Sequence, residues 1–153
     1  MKKEKLFELL LIIAVMAGAG YAAFSDAHNF PNRWFSRDDA YYYFKVAQNI
    51  SEGLGSTFDG VNLANGYHPL WMLVNIPIFA LARFDLVLPL RILLVLMGAI
   101  HAATAILLYR LVSRVLSRTV GMLIASFWAF NAFIYATVAQ FGLETGLTAF
   151  SVV

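Results

Sequence analysis

Leu6-Phe7-Glu8-Leu9-Leu10-Leu11-Ile12-Ile13-Ala14-Val15-Met16-Ala17-Gly18-Ala19-Gly20-Tyr21-Ala22-Ala23-Phe24 decides the class of this chain: 19 residues, apolar throughout except for Glu8. A helix needs about 20 apolar residues to cross roughly 30 Å of hydrocarbon. Lys2, Lys3 and Lys5 stand just before the run, and basic residues flanking a span stay on the cytoplasmic side. The stretch predicts a first transmembrane helix with a cytoplasmic N-terminus. The alternative is a cleaved signal peptide ending near Tyr21-Ala22-Ala23. The run exceeds the usual apolar core of such peptides, about 7–15 residues, which favours an uncleaved anchor.

The rest of the 153 residues agrees with that start. Hydrophobic residues make up 61% and charged residues 13%, about half the roughly 25% of a soluble domain. Mean hydropathy is +0.72. A disordered chain, a soluble domain and a fibrous repeat are excluded on these grounds. A net charge of +2 is too small for a nucleic-acid partner, which requires a dense basic face. With no cysteine there is neither a disulfide framework nor a thiolate metal site.

Working outward, residues 25–67 form a polar stretch of 43 residues with aromatic islands, long enough to carry function. Leu70–Ala82 is apolar but holds only 13 residues, Pro77 among them. That length predicts an interfacial or re-entrant segment. Two longer runs follow, 86–109 and 120–139, with Arg91 near the start of the first, where it can snorkel. Arg110, Arg114 and Arg118 lie between them. If 70–82 spanned, these arginines would lie outside. If it lies at the outer surface, they fall inside with the N-terminal lysines, as the positive-inside rule prefers. The expected architecture is therefore an all-α, polytopic transmembrane helix bundle with spans at 6–24, 86–109 and 120–139. Amphipathic juxtamembrane helices belong to its first outer loop. A further span begins at 146–153, so the chain reads as the N-terminal part of a longer multi-pass protein of the plasma (inner) membrane.

Within the outer loop, Ser36-Arg37-Asp38-Asp39 has the form of a capping box. The helix it starts is expected to run to about Glu52 and stop at Gly53. At 100° per residue, Ala40, Tyr43, Phe44, Val46, Ala47 and Ile50 share one side; Asp38, Lys45, Gln48, Asn49 and Glu52 share the other. Such a helix suits a membrane surface. Turns follow at Asp59-Gly60 and Asn65-Gly66, and Tyr67 and Trp71 are placed as headgroup-level anchors. His101 and Asn131 are expected to bond neighbouring helices.

Asp38 and Asp39 have two readings. Acids in a first turn complement the helix dipole; two adjacent carboxylates at a membrane surface also suit a general base or a divalent cation. Glu144, between two apolar segments, is a functional candidate by its position. His68 could be structural, a metal ligand or a proton carrier.

Three stretches carry a resemblance. Arg37-Asp38-Asp39-Ala40-Tyr41-Tyr42-Tyr43-Phe44-Lys45-Val46-Ala47-Gln48-Asn49-Ile50 with Gly53 resembles the first outer loop of the GT-C superfamily of glycosyltransferases. Asn65-Gly66-Tyr67-His68-Pro69-Leu70-Trp71 and Gly142-Leu143-Glu144-Thr145 resemble its second and third landmarks. The nearest likeness is to the bacterial branch with DDAY-type loops; protein O-mannosyltransferases and the aminoarabinose lipid A transferase are more distant. The resemblance implies a multi-span enzyme that takes a sugar from a polyprenyl-phosphate donor outside the cytoplasm and passes it to a glycan, lipid or protein acceptor, with membrane lipids around it. It implies Asp38 as the base and Asp39 and Glu144 as further acids of the site. Some relatives carry Glu where this chain has His68. Arg37, Lys45, Tyr42 and His68 are the substrate-binding candidates, and Asp39, Glu144 and His68 the candidate ligands of a divalent metal cation. The 153 residues alone are expected to be inactive. A non-catalytic anchor or assembly subunit, or part of a transporter, is the competing expectation.

Overall fold

The computed structural model describes residues 3–153, so Lys2 of the N-terminal lysines lies outside the described residues. Helices α1 (Lys3–Ala23), α2 (Asp38–Ser51), α3 (Pro69–Leu81), α4 (Leu88–Val115), α5 (Arg118–Phe130), α6 (Ala132–Tyr135) and α7 (Thr145–Val152) follow one another, with no strand among the described residues. A 3-10 turn at Ala27–Asn29 and π-helical turns at Phe30–Trp34 and Ala136–Gln140 complete the order. Two helices are long and apolar enough to cross a membrane, α1 from Glu4 and α4; a third span exists if α5 and residues 132–140 count as one.

Small residues let α1 and α4 approach closely. Ala19, Ala22, Ala102 and Ala105 are buried, and a Cβ built on Gly98 would collide with that of Ala19. Close backbone approach of this kind is how apolar helices pack where hydrophobic burial alone does not drive them together. The run is interrupted by Glu8 for a reason: both its carboxylate oxygens accept from Arg110 of α4, at 2.8 and 2.9 Å. Arg118 Nη2 reaches Glu4 Oε1 at 2.7 Å. The start of α1 and the α4–α5 turn therefore share one end of the molecule, and residues 24–87 lie at the other. The short apolar run expected at Leu70–Ala82 forms the 13-residue α3, Pro69–Leu81, with Pro77 inside it.

Five expectations need correction. Ser36 does not cap α2: Arg37 occupies that position in extended backbone with no side-chain bond. The apolar side of α2 is covered by protein rather than left for lipid, since Ala40, Tyr43, Phe44, Val46 and Ala47 join Trp71, Met72 and Phe79 of α3 in one core. Trp71 is accordingly buried at 1% exposure and is no headgroup anchor. Asn49, assigned to the polar side, is 1% exposed. Its amide NH2 donates to the carbonyls of Thr57 (2.9 Å) and Phe58 (3.2 Å), so its buried donor is satisfied by the following loop rather than by water. Finally, the apolar run at 120–139 is not one straight helix. It breaks at Asn131 and bends by 56°.

Candidate functional site

The start of α2 brings its first turn to the end of the molecule where residues 141–145 emerge. Gly142 makes this possible. Its φ is +74°, and a Cβ there would lie 2.7 Å from Phe35 Cδ1 and 2.9 Å from Ala40 Cβ. Only a residue without a Cβ can take this backbone against that wall at no steric cost. The carbonyl of Gly142 accepts from Trp71 Nε1 at 3.0 Å, a buried bond that ties the segment to α3.

One phenol joins the three stretches. Tyr43 Oη donates to Glu144 Oε2 at 3.0 Å and accepts from the backbone N–H of His68 at 2.8 Å. Burial pushes the Tyr43 phenol up from its ordinary range; the His68 N–H opposes this, and the carboxylates of Glu144 and Asp39 add to the rise. The phenol thus keeps its proton and stays a donor. Beside it, Asp39, Tyr42, Tyr43, Gly66, Leu143 and Glu144 line an open pocket of about 290 Å³. Two carboxylates from distant parts of the chain border one space.

The remaining candidates divide. Arg37 lies over the Phe141 ring, 4.7 Å from its centroid, so a cation–π contact fixes its charge; it is not among the lining residues. Tyr42 stacks on Phe58, with centroids 5.5 Å apart and planes 13° off parallel. Asp38 is exposed and is not among the lining residues; its Oδ1 accepts the N–H of Asp39 at 3.1 Å, within its own helix. Lys45 is exposed and lies outside the lining. His68 contributes its backbone N–H to Tyr43, and no three His, Asp or Glu side chains gather as a metal-holding group among the described residues. The donor set of Asp39 and Glu144, two hard oxygen ligands on an open pocket, suits a cation that completes its shell with water and phosphate.

Sequence reasoning missed Tyr43, which it counted only as part of an apolar side. A phenol buried among aromatics needs a partner for its hydroxyl, and that requirement was the signal for it. Comparison with known protein families, with curated proteins and with solved structures finds no match to the chain.

Proposed function

We propose that this chain belongs to a glycosyltransferase of the GT-C type. In this proposal it is a polytopic helix bundle of the plasma (inner) membrane, with its N-terminus in the cytoplasm. It transfers a sugar from a polyprenyl-phosphate donor to a glycan, lipid or protein acceptor on the extracytoplasmic side. The observation that carries the proposal is the Tyr43 phenol. It bonds Glu144 and the His68 backbone at once, so three stretches that resemble the superfamily separately meet at one pocket.

Nucleotide sugars are too polar to cross lipid, so transfer outside the cytoplasm requires a lipid-borne donor. An acceptor hydroxyl forms a bond to the anomeric carbon, the bond from that carbon to the phosphate oxygen breaks, and polyprenyl phosphate departs with the electron pair. The hydroxyl proton passes to a carboxylate within hydrogen-bond reach. We assign that base to Asp39, which borders the pocket, rather than to Asp38, whose carboxylate bonds its own helix. Glu144, held by Tyr43, orients the pocket, and Arg37 offers charge to the departing phosphate. A divalent cation would be held by Glu144 and one oxygen of Asp39, leaving the other Asp39 oxygen to take the proton, and would offset phosphate charge. Attack opposite the leaving group inverts the sugar.

A broken apolar helix is also what a transporter would use at its binding site, and the break at Asn131 is of that kind. Three of the groups it frees are already bonded by side chains: Asn131 caps Phe133 and Ile134, and His101 bonds Ala129. That favours a structural bend over a transport site. The test is transfer from a labelled polyprenyl-phosphate sugar by the whole protein in membranes. Asp39→Asn should lower turnover roughly 10²–10⁴-fold, the usual size of general-base catalysis, and Glu144→Gln should weaken donor binding as well. Asp38→Asn should leave turnover close to normal. Normal turnover in both Asp39→Asn and Glu144→Gln would refute the proposal.

A further inference from the structure

Kinks in apolar helices usually trace to proline, to small residues or to a side chain entering the backbone ladder. No proline lies between Arg118 and Gln140, yet the run bends by 56° at Asn131. The backbone there is extended, with ψ at 119°. Such a break frees N–H groups on its far side and carbonyls on its near side, and in an apolar setting each must find a partner.

Members of both sets are met by side chains. Asn131 Oδ1 accepts from the N–H groups of Phe133 and Ile134, each at 3.1 Å. In an unbroken helix the Phe133 N–H would bond the carbonyl of Ala129. That carbonyl instead accepts from His101 Nε2 of α4 at 3.2 Å. A carbonyl only accepts, so Nε2 carries the proton. His101 is 1% exposed and is fixed in place by Trp128 on one side (5.9 Å between ring centroids) and Tyr135 on another (5.4 Å). An open apolar groove of about 350 Å³, lined by Val15, Gly18, Ala129, Ala132 and Tyr135 among others, lies between α1 and the bend, with Val15 and Ala129 packed in one core beside it.

We propose that His101 and Asn131 form a positioning pair that holds this bend and, through it, places Glu144 against Tyr43. The leverage is large. Residues 132–140 rise about 14 Å at 1.5 Å per residue, so swinging them through the 56° bend moves their far end by roughly 13 Å. Glu144 follows four residues later. The link to catalysis rests on the transferase function proposed above; the placement itself does not.

The chain has no cysteine, so Ser51→Cys on α2 and Thr148→Cys on α7 allow a pair of spin labels in the whole protein, in lipid nanodiscs. Asn131→Ala removes the cap. His101→Phe keeps the ring and its packing but loses the donor, and it tests the same bend from the other helix should Asn131→Ala not fold. Each is expected to shift or broaden the label distance by more than about 5 Å. Asn131→Ser and His101→Gln, which restore an acceptor and a donor, should recover it. In the transfer assay Asn131→Ala should lower kcat at least about 10-fold with little change in KM, and Asn131→Ser should recover part of the loss. Unaltered distances in both Asn131→Ala and His101→Phe would overturn the positioning pair. Altered and rescued distances in a protein that transfers no sugar would uphold the pair and refute the transferase function instead.

Discussion

Replacing Gly142 by alanine tests whether the pocket is assembled by a close-packed glycine. Two costs add. An L-residue at φ +74° is disfavoured by about 1–2 kcal/mol. The new methyl would also stand 2.7 Å from Phe35 Cδ1, 2.9 Å from Ala40 Cβ and 3.1 Å from Phe44 Cζ. Phe35 and Ala40 are both fully buried, so neither has free space to retreat into. Overpacking of this kind costs about 1–3 kcal/mol. The Trp71 bond to the Gly142 carbonyl is strained as well, at about 0.5–1.5 kcal/mol. Gly53 provides the control, because its φ is +84° but nothing lies within 4 Å of a Cβ there. Gly53→Ala carries only the first cost, so the two variants should differ by about 1.5–4.5 kcal/mol. For a chain of this size each kcal/mol moves Tm by roughly 2–4 °C, which puts Gly142→Ala roughly 3–18 °C below Gly53→Ala. Thermal unfolding of the purified protein in detergent, followed by tryptophan fluorescence, reads the difference directly. Equal Tm values for the two variants would refute the close-packed junction between α2 and residues 141–145.

Asn49→Ala should destabilise the protein by about 1–3 kcal/mol, since the carbonyls of Thr57 and Phe58 lose a buried donor; a protease-sensitivity assay should show faster cleavage within residues 55–66, and unchanged cleavage would count against the contact. Asp59 is held at about 2, below the ordinary 3.8, chiefly by the Asn62 side chain and then by the N–H groups of Asn62 and Val61. A depressed carboxylate stabilises its turn above the ordinary value and loses that effect as pH falls through the folded one. The protection of the Val61 and Asn62 amides relative to intrinsic exchange at the same pH should therefore be present at pH 5 and be lost as pH approaches 2, whereas Asp59→Asn should flatten that response. For topology, Leu63→Cys, at an 88% exposed position, should react with an impermeant thiol reagent added to intact cells, and Leu116→Cys, 67% exposed in the α4–α5 turn, should not; labelling of Leu116→Cys from outside would reverse the proposed orientation.

The membrane-crossing lengths of α1 and α4 were legible in the sequence, because a span depends on the number of consecutive apolar residues and on little else. The 13-residue length of α3 followed from the same count. The stop of α2 before Gly53 was readable because capping and turn preferences act over one helical turn. The apolar side of α2 was readable from its 100° periodicity, but what covers that side was not. Periodicity says that a face is apolar; it does not distinguish lipid from Trp71 and Phe79. The bend at Asn131 was hidden for a similar reason. No proline or glycine marks it, and its stability depends on His101, thirty residues earlier. Asn49 and Tyr43 owe their roles to partners as distant as Glu144, 101 residues from Tyr43. A hydrogen bond across that separation forms only after the helices pack and bring both groups out of water together. Local sequence thus determined where helices form and which could cross a membrane, while tertiary packing decided which polar groups meet at one pocket.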